Sequence, residues 1–191
     1  MTDPSKNRFG FGARGGSAGQ NYVIDMFKAY GSPIVKDGKA AIDKPKALEA
    51  LRFYTELHTK HKVTPPSAPN DSYRHIMEAF RSGQTAMMWH TTGNLTAVKG
   101  SAKFPFGVAM LPASKQRGSP TGGGNFYLFK KTSPEERKAA LAFVKFMTAP
   151  ERAADWSMAT GYVGISPAAY DTPKLKAYAA EFPPAVVARD Q

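Results

Sequence analysis

Along this chain, short apolar runs of strand length take turns with stretches whose apolar residues recur every three to four positions, and Gly or Pro separates them. Such an order makes helices the connections between strands that run the same way. It predicts an α/β architecture around a mainly parallel core.

Arg8 to Arg14 reads as a strand entering a glycine-rich turn, Gly15-Gly16-Ser17-Ala18-Gly19. Tyr22, Val23, Met26, Phe27 and Tyr30 then form one helical stripe, which Gly31 stops. Ile34 to Ile42 reads as a hairpin, with Asp37-Gly38 supplying the positive-φ turn. Asp43 is placed to cap a helix running to about Lys60, with Ala47, Leu51, Tyr54 and His58 on one face. Pro65, Pro66 and Pro69 make the next stretch a loop. Asn70 or Asp71 opens a helix carrying Tyr73, Ile76, Met77 and Phe80, and Gly83 ends it. Thr85 to Trp89 is continuously apolar, as parallel strands buried on both faces are.

The second half repeats the alternation. Phe104–Leu111 and Asn125–Phe129 read as strands on either side of a loop rich in Gly, Ser and Pro. Ser133-Pro134-Glu135-Glu136 is a capping box with Pro at the first helical position, opening a helix expected to bury Leu141, Val144 and Met147. Thr148-Ala149-Pro150-Glu151 starts another helix, which Gly161 ends.

Composition excludes several functions. The 191 residues are 42% hydrophobic and 21% charged, a globular balance, and contain no Cys, so thiol chemistry and disulfides are excluded. No apolar run approaches the roughly 20 residues that cross a bilayer, and the first residues carry no apolar leader core. The net charge is +11. It is unevenly spread: no Asp or Glu lies between Glu78 and Glu135, where Arg81, Lys99, Lys103, Lys115, Arg117, Lys130 and Lys131 fall. Such a field suits anionic partners, or merely a solvated basic face. No helix-turn-helix, zinc-finger or RNP-like pattern accompanies it, so no nucleic-acid partner is expected.

Catalytic patterns are thin. Gly10, Gly12 and Gly15 satisfy G-x-G-x-x-G with Asp37 downstream, yet no buried strand precedes the first Gly. Gly15 to Gly19 fits the G-x-S-x-G elbow, with Asp71 and His90 following Ser17 in hydrolase order, but hydrolase sheets place several strands before the elbow. His58 and His61 stand three apart without a second ligand pair, so no metal and no cofactor is expected.

Specificity comes from the second half. Phe106-Gly107-Val108-Ala109-Met110-Leu111-Pro112 precedes a polar loop and Gly122-Gly123-Gly124-Asn125-Phe126-Tyr127-Leu128-Phe129. A capped helix, Ala149-Pro150-Glu151, Trp156 and Thr160-Gly161-Tyr162-Val163-Gly164-Ile165-Ser166 follow. Upstream, Phe80 to Met88 and Thr91-Thr92-Gly93-Asn94-Leu95 fit the same order. This series resembles the extracellular solute-binding proteins of ABC importers, the maltose-binding-like family, and within it the periplasmic glycerol-3-phosphate-binding branch.

The resemblance implies a type II periplasmic-binding-protein fold, here incomplete and mostly the second lobe. Residues 1–110 and 149–191 would belong to that lobe, and residues 111–148 would cross to the first. It implies no catalysis. Its partners would be a small-molecule solute, a polyol phosphate or a sugar, and the membrane permease subunits of an ABC importer. The whole protein would be exported to the periplasm. The ligand-binding positions it carries over are Thr91, Gly122, Gly123, Tyr162 and Arg189, with Arg14 added by its place in the first glycine turn. Backbone N–H groups at glycines approach an anion closely, and an Arg fork holds it bidentately. Residues 11–21 lack the tryptophans that line the phosphate site in that branch. A sugar or sugar alcohol is therefore the rival ligand, with Trp89, Tyr127, Trp156 and Tyr162 as stacking surfaces.

Overall fold

The structure, a computed structural model, describes residues 2–13, 19–66 and 72–191. Arg14, Ser17 and Asp71 lie outside the described residues, as does most of the glycine-rich turn. The chain divides into two compact units, one of Met1–Thr91, Val98–Pro120 and Gln191, the other of Thr92–Ala97 and Thr121–Asp190.

In the first unit, β1 (Phe9–Gly12) pairs in parallel with β4 (Thr85–Met88), in the register Phe9↔Thr85, Phe11↔Met87 and Gly12↔Met88. A parallel pair needs a long crossover. It is supplied by α1 (Gln20–Ala29), the hairpin β2 (Val35–Lys36) and β3 (Lys39–Ala40), α2 (Pro45–Thr59) and α3 (Ser72–Arg81). Gly12 lets α3 approach the sheet: a Cβ there would stand 2.8 Å from Cγ2 of the fully buried Ile76. The stripe of α1 packs Met26 and Phe27 onto Ala47 and Ala50 of α2, with Val23, Tyr30, Leu51, Tyr54 and Trp89 around them. Small residues on one helix make room for large ones on the other, and each large side chain buried this way contributes about 1.5–3 kcal/mol. The hairpin turns as expected, with φ of 52° at Asp37 and 71° at Gly38.

Gly10 and Gly12 lie inside β1 and Asp37 in the hairpin turn, so this glycine pattern does not open a helix as a dinucleotide fingerprint must. Asp43 does not cap α2: Lys44 is its N-cap, Pro45 takes the first helical position, and the Asp43 carboxylate pairs with Lys44 Nζ at 3.3 Å. The run at β4 is not buried on both faces: Thr85 is buried, but Ala86 and Met87, which point to opposite faces, are exposed. Burial on both faces requires layers on both sides of a sheet. Among the described residues this sheet has two strands.

Phe104–Leu111 does not form a strand. Phe104 and Phe106 instead set their rings edge-to-face against Phe80, at 5.4 and 6.2 Å between centroids. The loop beyond it closes the end of α1, where Ala29 O accepts hydrogen bonds from the N–H groups of Lys115 and Gln116.

The second unit is helical. It holds the 3-10 turn Thr92–Asn94, the first residues of α4 (Leu95–Lys99), α5 (Pro134–Met147), α6 (Pro150–Thr160), α7 (Pro167–Asp171) and α8 (Pro173–Glu181). Its core is Ala153, Ala154, Ser157, Ala169 and Leu175, where α6, α7 and α8 meet. The capping box of α5 forms as expected: Glu136 N–H donates to Ser133 Oγ and Ser133 N–H to Glu136 Oε2. The helix nonetheless buries none of its residues, and Leu141, Phe143 and Phe146 are exposed. Asn125–Phe129 is likewise not a strand, with Tyr127 76% and Phe129 79% exposed. A strand satisfies its N–H and C=O groups through a neighbour, and no neighbour lies beside this run among the described residues. Thr148 caps the end of α5 through its Oγ1, which donates to Val144 O at 2.8 Å, and Ala149 is the N-cap of α6.

Candidate functional site

The densest arrangement around an expected ligand residue is the turn that carries Tyr162. Gly161 ends α6 at φ +95°, a conformation L side chains avoid, and its N–H donates to Ser157 O at 2.7 Å. Ser157 Oγ donates to Tyr162 O at 2.7 Å, and Tyr162 N–H donates to Thr160 Oγ1 at 3.1 Å. Two residues on, Gly164 N–H donates to Tyr170 Oη at 2.8 Å. The backbone from Gly161 to Gly164 is thereby fixed from both sides. The Tyr162 side chain stays accessible, the residue being 37% exposed.

Arg189 belongs to the same unit and connects to this turn through one ring. Its guanidinium carbon stands 5.1 Å from the centroid of Tyr170, whose hydroxyl holds Gly164. The guanidinium also forks onto Asp190, with Nε to Oδ1 at 2.6 Å and Nη2 to Oδ2 at 3.1 Å. Hydrogen bonding from Arg189 holds the Asp190 carboxyl below its ordinary value. An anion reaching this guanidinium competes with Asp190 for its donors.

The other expected positions are placed differently. Gly122 and Gly123 lie in an exposed loop of the second unit, with open space where a Cβ would stand, and Gly123 adopts φ +150°. Thr91 belongs to the first unit, just beyond β4, and its N–H donates to His90 Nδ1 at 3.0 Å. Arg14 lies outside the described residues.

Among the stacking candidates, Trp89 is partly buried and packs against the core of the first unit, 5.0 Å from the Tyr22 ring and 6.3 Å from Tyr54. Tyr127 and Trp156 are exposed. His90 is engaged at both nitrogens, since Nδ1 accepts from Thr91 and Nε2 lies 3.3 Å from Tyr73 O. A hydrolase base instead needs Nε2 free to take a proton and Nδ1–H donating to a carboxylate. His58 Nδ1 is hydrogen-bonded to Thr64 Oγ1, and no cluster of metal-ligating side chains occurs among the described residues. No helix among them is long and apolar enough to cross a membrane.

Three residues escaped the sequence reading. Tyr170 carries no local signal, because its partners lie 6 residues before it and at Arg189. Gly93 does lie in the Thr-Thr-Gly-Asn stretch, but its neighbour in space, the Tyr162 ring, is distant in sequence. Asp25, on α1, is 5% exposed and its Oδ1 has no hydrogen-bond partner among the described residues. Burial raises its pKa to about 7, against the field of Lys28.

Comparison with known proteins matches this architecture. The family model described as bacterial extracellular solute-binding protein matches residues 1–184. The sn-glycerol-3-phosphate-binding periplasmic protein UgpB of Yersinia pseudotuberculosis is 28% identical over 182 residues, covering 88% of this chain and 40% of the relative. The crystal structure of UgpB from Mycobacterium tuberculosis in complex with glycerophosphocholine superposes with a TM-score of 0.83 at 27% identity, over 95% of this chain and 45% of that one. Maltose-bound T. maritima MalE3 superposes at 0.77 with 28% identity, over 93% and 47% of the two chains. The chain therefore spans less than half the length of these relatives. Its α/β framework is that of part of a periplasmic binding protein, and by the match over nearly its whole length the chain belongs to the bacterial extracellular solute-binding protein family.

Proposed function

We propose that this chain is part of the solute-binding component of an ABC importer, capturing glycerol 3-phosphate or a related polyol phosphate in the periplasm for delivery to the membrane permease subunits. The observation that carries this reading is the likeness, over nearly the whole chain, to a protein solved with glycerophosphocholine. The acid-free stretch between Glu78 and Glu135 supports it, because a basic field raises the local concentration of an anionic solute. In this reading no bond is made or broken. The Tyr162 phenol meets a solute hydroxyl, the Arg189 fork meets the phosphate once Asp190 yields, and Thr91, Gly122 and Gly123 complete the polar contacts, with Arg14 as a further cation.

A sugar is the second reading. It is favoured by the maltose-bound relative and by the exposed aromatic faces of Tyr127 and Trp156, on which a pyranose ring can stack. Isothermal titration of the chain with sn-glycerol 3-phosphate, glycerophosphocholine, glycerol and maltose separates the two. Binding of the phosphates alone supports the first reading, and binding of maltose alone replaces it with the second. Heat from none of the four refutes solute capture by this chain.

A further inference from the structure

Gly93 and the Tyr162 ring occupy space that one added carbon would contest. A Cβ built on Gly93 would overlap Tyr162 at Cζ, and would stand 2.7 Å from Oη and 2.8 Å from Cε1. Gly93 is not among the glycines with positive φ, so its backbone alone does not demand glycine. What contests an added carbon is the far end of the phenol.

The backbones on both sides of this contact are held. The Tyr162 backbone is tied to Ser157 Oγ and Thr160 Oγ1. The turn that carries Gly93 is packed against the same helix end, since a Cβ on Gly161 would meet Leu95 Cβ at 2.5 Å and Thr92 O at 2.6 Å. Thr96 Oγ1 adds a hydrogen bond to Met158 O in α6. With both backbones held, the atoms nearest a side chain at position 93 all belong to the phenol, and the phenol yields by rotating away.

We propose that Gly93 is a positioning residue for Tyr162: the bare backbone of the Thr92–Asn94 turn is the seat on which the phenol ring rests, and it sets where the hydroxyl meets the solute. The inference rests on the reading that Tyr162 contacts the solute. It deepens that reading by naming the feature that fixes the contact.

The test uses the 191-residue chain with 13C-labelled tyrosine rings, as wild type and as the variants Gly93→Ala, Tyr162→Ala and the double variant. Binding is titrated with sn-glycerol 3-phosphate, glycerophosphocholine and maltose. Gly93→Ala is expected to keep the wild-type melting profile, displace the Tyr162 ring resonances and weaken binding by about tenfold, the scale of one lost polar contact. In the Tyr162→Ala background the same substitution is expected to change neither melting nor affinity, because the ring it opposes is gone. Displaced resonances with wild-type affinity overturn the inference while leaving solute binding intact, as do unmoved resonances. Wild-type affinity in Tyr162→Ala removes Tyr162 from the site and overturns the inference on that ground. Absence of binding by the wild type instead overturns the solute-capture reading, and this inference with it. If Gly93→Ala unfolds, the double variant decides: recovery of the fold supports the seat, and continued unfolding refutes it.

Discussion

Replacing Asp25 by Asn should change how stability depends on pH more than it changes stability at any acidic pH. Asp25 is 5% exposed, its Oδ1 has no partner among the described residues, and burial outweighs the field of Lys28 to raise its pKa from 3.8 to about 7. The sign follows from proton counting. Below the ordinary aspartate value both states hold the proton and the group contributes no pH dependence. Between that value and about 7 the unfolded chain has released its proton while the folded chain keeps it, so stability falls as pH rises. Each pH unit in this window removes at most about 1.4 kcal/mol, and the whole window at most roughly 4 kcal/mol. Above it both states are ionised and the loss levels off. Asn keeps the size of the side chain and removes the ionisation. Urea denaturation of both proteins at pH 5, 6, 7 and 8 measures the effect, and taking their difference cancels the histidines common to both. The variant should gain on the wild type steadily from pH 5 to 7, reaching a gap of about 2 kcal/mol or more by pH 8. Two profiles that run parallel would refute the reasoning, because they would mean that Asp25 ionises in the folded chain as it does in water.

Three further substitutions probe other parts of the structure. Gly161→Ala places a Cβ at φ +95° against Leu95 Cβ and Thr92 O, neither of which yields easily, and should cost about 2 kcal/mol or more in chemical denaturation; an unchanged midpoint contradicts the packing of that turn. Ser133→Ala removes one half of the capping box of a helix that has no buried side chain to compensate, and should cost about 1 kcal/mol. Its readout is amide exchange in the first turn of α5, about fivefold faster than wild type if the cap holds that turn. Asp190→Asn takes the competing carboxylate from Arg189 and should tighten binding of sn-glycerol 3-phosphate several-fold in titration calorimetry, with maltose unaffected. Weaker phosphate binding would mean that Asp190 orients the fork instead of occupying it.

What the sequence displayed and what it hid divide by range. The turn at Asp37-Gly38, the positive φ at Gly31, Gly83 and Gly161, and the Ser133–Glu136 box are set by sterics and hydrogen bonds within a few residues, and all are present. The stripes on α1 and α3 were equally legible, because a helical period places Met26, Phe27, Ile76 and Phe80 on buried faces whatever covers them. Family membership was legible for a different reason: the order and spacing of several individually weak motifs agree over residues 1–184. The candidate site was only partly legible. Tyr162 lies on a turn that its own sequence announces, but the Tyr170 ring that joins this turn to Arg189, and Asp190 beside that arginine, become meaningful only through distances.

The two runs expected to be strands show the physical limit most directly. Apolar, aromatic-rich residues from Asn125 to Phe129 have the preference of a strand, and Phe104 to Leu111 only a little less, yet neither joins a ladder. β-propensity describes how well a side chain fits a pleated, half-buried surface, so it is conditional on a neighbour that supplies that surface. The two runs then diverge according to what each finds. Phe104 and Phe106 find the ring of Phe80 and are held by it without strand pairing. Phe126 meets Phe143 of α5 edge-to-face at 5.8 Å, but both rings are more than half exposed, so the contact joins two apolar surfaces without removing either from water. A helical period and a capping box were enough to make α5 a helix. Burial of its apolar side chains requires a second surface, and no local pattern in residues 133–147 encodes one.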